Sequence, residues 1–173
     1  LEYRKARGFY PLDLDEKEFH QILISMLKEN KVEEVRKILN QRSVVERNGK
    51  ELKAIDYIDK FSCDFKKIAE LLLRASCVST CIEFNEYLRL QSQAFLVADP
   101  MLDAFADKKW AQMQNTPLEF TITRENYSDG MTETVLENPE LSELLKENNI
   151  EVISKDYLGA RVGIVNKEGT DYI

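Results

Sequence analysis

His20 is the only imidazole that this 173-residue chain can bring to a reaction. Nucleophilic catalysis of the Ser-His or Cys-His kind needs a histidine oriented by further groups, and a catalytic zinc site normally takes three protein ligands. His20 stands beside Phe19 on the polar side of a helical repeat, with no ligand-like residue at matching intervals, so it reads as a surface or rim residue. The three cysteines, Cys63, Cys77 and Cys81, are odd in number and lack framework spacing, which favours reduced thiols in a cytoplasmic protein over secretion. Cys77 and Cys81 straddle a helix boundary at Ser79-Thr80, and buried structural thiols are the expectation for them. The acidic run Asp13, Asp15, Glu16, Glu18 lacks the glycine and closing glutamate of a calcium loop, and helix capping accounts for it better. No Gly-rich phosphate loop, Gly-x-Ser-x-Gly or His-Glu-x-x-His occurs in the sequence. Asn126-Tyr127-Ser128 fits a glycosylation acceptor, a triplet common by chance.

One stretch groups polar residues in a way that could serve binding. Leu118, Phe120 and Ile122 alternate with Glu119, Thr121 and Thr123, and Glu125 and Tyr127 continue the period of two. The polar side is either a cleft wall able to hold a peptide amine and backbone, or the ordinary solvated face of a half-buried strand, which is the default for such patterning. Glu119 and Glu125 do not suit paired-carboxylate glycoside chemistry, because six residues of strand span about 20 Å, well beyond the separation that chemistry uses.

The elements that must position this strand are legible from period and punctuation. Asp13 with Glu16 forms an Asp version of the capping box, ahead of Phe19, Ile22, Leu23, Met26 and Leu27 at helical spacing, and that helix ends near Asn30. A short helix through Val32, Val35, Ile38 and Leu39 follows. Asn48-Gly49, between Ser43–Arg47 and Lys50–Ile55, predicts a hairpin closed by a type I′ turn. Three helices are expected from Ser62: one on Phe65, Ile68, Leu72 and Ala75, one on Phe84, Tyr87, Leu88, Gln91 and Phe95, and one opening at Asp99-Pro100 with Leu102, Phe105, Ala106, Trp110 and Met113 on a single face. Beyond the alternating strand, Asn138-Pro139 opens a helix through Leu141, Leu144 and Leu145 that Asn148-Asn149 ends. Ile150–Ile153 and Arg161–Val165 read as strands, with Gly159 and Gly169 as breakers. The expectation is one α+β domain or lobe: a helical pair and hairpin over 1–60, three helices over 61–115, and strands with an inserted helix over 116–173.

Composition narrows the partners. A net charge of −7 argues against nucleic acid, whose binding rests on Lys and Arg displacing counterions, and the Arg4, Lys5, Arg7 cluster is too short to reverse that. No window approaches the roughly 18 apolar residues of a membrane span. The start of the chain has no initiator Met and no signal-peptide pattern, so a piece of a longer protein is expected.

From Ile68 onward, consecutive helices lead to Trp110 and then to a Pro-started strand, Pro117 to Thr123, whose continuation reads Glu125-x-Tyr127-x-Asp129. A later strand ends Gly163-Ile164-Val165-Asn166, and the chain opens with Gly8-Phe9-Tyr10-Pro11 before an acidic helix start. This order of features resembles the non-catalytic lobe of the dipeptidyl-peptidase III family of zinc metallopeptidases. The resemblance implies that the strand region binds a peptide's backbone and amino terminus, partly by adding the peptide as a strand. It points to Glu119, Phe120 and Thr121 as substrate-binding, with Glu119 or Phe120 at the place that reads the ammonium. It implies no catalytic residue and no metal ligand in this chain, since the family's His-Glu zinc motif and third ligand lie downstream; zinc belongs to the missing catalytic lobe. The implied partners are that lobe and a peptide substrate. The stretch from Met131 to Leu158, with its own helix, departs from the shorter connection that the resemblance implies. The alternative is a non-enzymatic protein-interaction domain of similar architecture.

Overall fold

A computed structural model describes residues 8–97, 99–113, 116 and 118–165. It has an α+β fold in two compact units, Leu1–Lys60 with Glu125–Tyr157 as unit 1, and Phe61–Arg124 with Leu158–Ile173 as unit 2.

Unit 1 begins with α1, Glu16–Lys28, which buries Phe19, Leu23, Met26 and Leu27. Its N-cap is Asp15, whose carboxylate accepts from the Glu18 amide at 2.8 Å, with Glu16 and Glu18 in the positive first turn. The cap thus falls two residues later than the Asp13 expectation, and Asp13 instead accepts from Arg47 Nε at 2.8 Å. Asn30, at φ 63°, reverses the chain into α2, Val32–Ile38. Strand β1, Ser43–Asn48, then pairs antiparallel with β2, Glu51–Asp56. Because Asn48 pairs with Glu51, the turn residues are Gly49 and Lys50, and of these only Gly49 has a positive φ, 64°. That is the pattern of a II′ turn, with glycine first, and not the I′ turn on Asn48-Gly49; Asn48 stays in the strand. A single helical turn, α3, Tyr57–Lys60, closes this half of the unit.

The second half of unit 1 contains a 3₁₀ turn, Thr132–Leu136, and a helix, Pro139–Glu147. Asn138 caps that helix by accepting from the Leu141 amide at 3.1 Å, and Asn149, at φ 50°, ends it. Ile150–Ile153 is not a strand: the Ile150 amide returns to the Leu145 carbonyl at 2.9 Å to close the helix end, and residues 151–153 form no regular element. Tyr10, Phe19, Leu23, Ile38, Leu52, Met131, Val135 and Leu141 belong to one core that both halves supply.

Unit 2 is built on α4, Ser62–Val78, α5, Ile82–Leu96, and α6, Pro100–Gln112. Phe65 of α4 meets Phe95 of α5 edge to face at 5.4 Å between centroids. Asp99 caps α6 by accepting from the Met101 amide at 2.9 Å, with Pro100 at the first position. Ala106 is fully buried, but Phe105, one residue and about 100° around the helix, is 51% exposed, so it leaves the expected buried face. The thiol expectation also changes: Cys77 is exposed near the end of α4, and Cys81, the N-cap of α5, is half-buried.

Strands β3, Leu118–Asn126, and β4, Asp156–Ile164, form a two-stranded sheet. Glu119 lies beside Gly163 and Asn126 Nδ2 reaches Asp156 Oδ1 at 3.2 Å, a pairing in which one number falls as the other rises, so the strands are antiparallel. Gly159 lies inside β4 and breaks nothing, while Gly169 and Asn166 fall outside the described residues. Among the described residues no helix is long and apolar enough to cross a membrane.

Candidate binding groove and the buried Asp129–Lys155 cluster

In unit 2 the end of α6 and the start of β3 enclose a groove of about 260 Å³. Trp110, Ala111 and Met113 contribute from the helix end, Thr116 from the connection, and Leu118, Glu119 and Phe120 from the strand. The strand's alternation sets who faces what. Ile122 is buried, Phe120 packs its ring edge to face on Phe84 (6.1 Å) and Tyr87 (6.3 Å), and Glu119 is exposed. Thr121 is half-buried and is not among the groove's lining. Glu119 and Phe120 both line the groove, although alternation turns their side chains to opposite faces of β3.

Burial raises the Tyr87 phenol above its usual range, with smaller contributions from Asp107 and Glu119, so Tyr87 is neutral and hydrogen-bonding. Its hydroxyl takes the Ile122 amide at 3.3 Å, which occupies the β3 edge at that residue. Lys109 is bound to Glu86, and Arg124 is bound to Asp103 while lying over the Phe95 ring at 5.0 Å, so both cations are engaged. A carboxylate at the rim of an aromatic and aliphatic groove can accept from an ammonium while apolar groups lie against the floor.

The Glu125-x-Tyr127-x-Asp129 pattern falls in unit 1 with three different fates: Glu125 is half-buried, Tyr127 is 56% exposed and Asp129 is wholly buried. Asp129 Oδ1 accepts from the amides of Met131 (2.8 Å) and Thr132 (2.7 Å), and Oδ2 from Thr132 Oγ1 (2.6 Å) and the Lys155 amide (2.8 Å). Three backbone amides and one hydroxyl thus engage the carboxylate within the chain itself. Lys155, also wholly buried, donates from Nζ to the carbonyls of Ile38 (2.6 Å) and Asn40 (2.7 Å) and to Ser43 Oγ (2.9 Å). Tyr10 completes the cluster, with its hydroxyl 2.6 Å from Thr132 Oγ1 and its ring 5.4 Å from the Lys155 nitrogen. Burial pushes Lys155 down to about 7, against the opposing pull of Asp129 and Asp156. Lys155 sits in a polar run, Ser154-Lys155-Asp156, and nothing in local periodicity singles it out.

His20 Nε2 lies 2.9 Å from Thr134 Oγ1, and burial lowers its pKa. Among the described residues no three His, Cys, Asp or Glu side chains gather closely enough to hold a metal ion.

Two solved structures share this fold. The structure of DPP III from Caldithrix abyssi superposes with a TM-score of 0.66 at 20% identity, covering 97% of this chain and 27% of that one. Dipeptidyl-peptidase III from Corallococcus sp. strain EGB gives 0.64 at 15% identity, covering 98% and 27%. The chain thus spans about a quarter of the length of these structures. No family model matches the sequence, and no curated protein does.

Proposed function

We propose that this chain is the substrate-binding and scaffold lobe of a dipeptidyl-peptidase III-like zinc peptidase, and that it works in the cytoplasm with a catalytic lobe outside these residues. The observation that carries the reading is the shared fold over 97% of the chain with a dipeptidyl-peptidase III structure. Zinc, held in the other lobe, would polarise the scissile carbonyl and supply a metal-bound water of lowered pKa. This chain's part is positional. Glu119 accepts from the peptide's amino-terminal ammonium, Phe120 and its neighbours hold apolar parts of the peptide in the groove, and main-chain groups of β3 near Thr121 bind the peptide backbone without regard to sequence. Fixing the amino terminus at a set distance from the reacting centre defines which bond is cut.

Titrating short peptides into labelled protein by NMR tests this. Peptides with free amino termini should shift the amides of residues 118–122, with affinity on the order of millimolar because half the cleft is absent. Acetylated peptides should bind less tightly, and Glu119→Gln should abolish the difference. Equal shifts for both peptides would remove Glu119 from the reading, and no shifts would favour a non-enzymatic interaction domain.

A further inference from the structure

We propose that Asn48-Gly49, at the tip of the β1–β2 hairpin, is a site of spontaneous covalent modification, where the Asn48 carboxamide passes through a cyclic imide to aspartate and isoaspartate with solvent water as co-reactant. This is independent of the peptidase reading. It begins from two dipeptides. Asn48-Gly49 and Asp129-Gly130 are the two places in the chain where an Asn or Asp precedes a glycine. At both, the nitrogen that would attack the side-chain carbonyl belongs to a residue with no Cβ to crowd it.

The fold treats the two pairs in opposite ways. Asp129 is wholly buried, and the amides of Met131, Thr132 and Lys155 together with the Thr132 hydroxyl hold both of its oxygens. Its Cγ cannot turn over the Gly130 nitrogen without breaking those bonds. Asn48, Gly49 and Lys50 are all exposed, and the space around the Cβ position of Gly49 is open. Among the described residues no hydrogen bond engages the Asn48 carboxamide or the Gly49 amide. Asn48 with Glu51 is the last pair of the ladder, the one that frays most readily, and its opening frees Asn48 to bring Cγ over the Gly49 nitrogen.

The step balances without an oxidant. Hydroxide takes the Gly49 N–H proton, the nitrogen attacks Asn48 Cγ, and the new C–N bond closes a five-membered ring. The tetrahedral carbon expels the side-chain nitrogen, which takes a proton from water and leaves as ammonia. Water then opens the imide. Breaking the bond from Cγ to nitrogen gives aspartate, and breaking the bond from the backbone carbonyl carbon gives isoaspartate. One water enters and one ammonia leaves. Either product sets a carboxylate opposite Glu51, which is itself bound to Lys31. Like charges there weaken the pair, and isoaspartate also carries the main chain through Cβ, which ends the register at that position. The hairpin tip therefore loosens as the molecule ages.

The chain held folded at mildly alkaline pH, then digested and read by mass spectrometry, should gain about 1 Da in the peptide carrying residue 48, as NH2 is replaced by OH. The rate should rise in proportion to hydroxide. An endoprotease that cuts before aspartate and not before isoaspartate should find both products at residue 48 and aspartate alone at residue 129. Asn48→Gln, whose imide would need a six-membered ring, should stay intact under the same conditions, with an unchanged melting temperature. In denaturant, where its four donors are lost, Asp129 should begin to isomerise as well. A folded chain unmodified at Asn48, beside a denatured chain modified there, overturns the proposal, as does modification of another asparagine ahead of Asn48. Isomerisation of Asp129 at equal rates in the folded and denatured chains overturns the protection assigned to its donors.

Discussion

The carboxylate of Asp129 accepts the backbone amide of Lys155 at 2.8 Å, while the ammonium of the same lysine points away to two carbonyls and a hydroxyl around the end of α2. One residue therefore ties the turn after β3 to the α2–β1 junction through its two ends. Replacing Lys155 by Met leaves the Ile38 and Asn40 carbonyls without that donor, and should cost about 3 kcal/mol or more. Asp129→Asn should cost a similar amount, because an amide nitrogen must face one of the donors that Asp129 now satisfies. Urea unfolding measures both.

The same lysine gives the stability a pH dependence. Its folded pKa, lowered to about 7, lies below the ordinary lysine value of 10.5, so between these the unfolded chain binds more protons. Stability should therefore rise as pH goes from 7 toward 10, and this contribution should be flat below 7, where both states are protonated. Above pH 10 the buried phenols of Tyr10 and Tyr57, whose pKa values burial raises, oppose further gain because they ionise only on unfolding. Melting temperatures of the native protein and Lys155→Met across this range should differ in slope; parallel curves would exclude Lys155 as the source.

Capping offers a sharper local test. Asp15→Ala should cost about 1 kcal/mol through loss of the bond to the Glu18 amide. Asp13→Ala removes only an exposed ion pair with Arg47 and should cost about 0.5 kcal/mol or less.

At the hairpin, Gly49→Val places a β-branched residue at φ 64° and should destabilise by about 1 kcal/mol or more. Asn48→Thr, which keeps a strand residue in the paired position opposite Glu51, should be nearly neutral. Equal losses at both positions would return the turn to Asn48-Gly49.

These residues show what a linear reading can and cannot see. Asp99-Pro100 and Asn138-Pro139 announce helix starts because a cap bonds within three residues of itself. Where neighbouring groups compete, only distant partners decide, as when Arg47 draws Asp13 away and leaves the cap to Asp15. The groove is partly legible: alternation sets Glu119 on the polar side of β3, but the contribution of Trp110 and Met113 depends on how α6 returns to the strand. The buried cluster is not legible, since Tyr10, Thr132 and Lys155 meet across more than a hundred residues and each looks like an ordinary polar or aromatic side chain.

The division of unit 1 into two stretches of chain, with residues 61–124 between them, bears on the order in which the protein can form. Helices α4, α5 and α6 meet as sequence neighbours, so they can pack while the chain is still leaving the ribosome. The core of unit 1 is completed later, for Tyr10 finds Thr132 only after 122 further positions have been made. While α4, α5 and α6 pack, Tyr10 and Phe19 still lack the part of their core that Met131, Val135 and Leu141 supply. Prior packing of α4, α5 and α6 shortens the effective loop that unit 1 has to close. Mutations that slow the packing of α4 on α5 should therefore lower the yield of correctly folded unit 1, although they touch none of its residues.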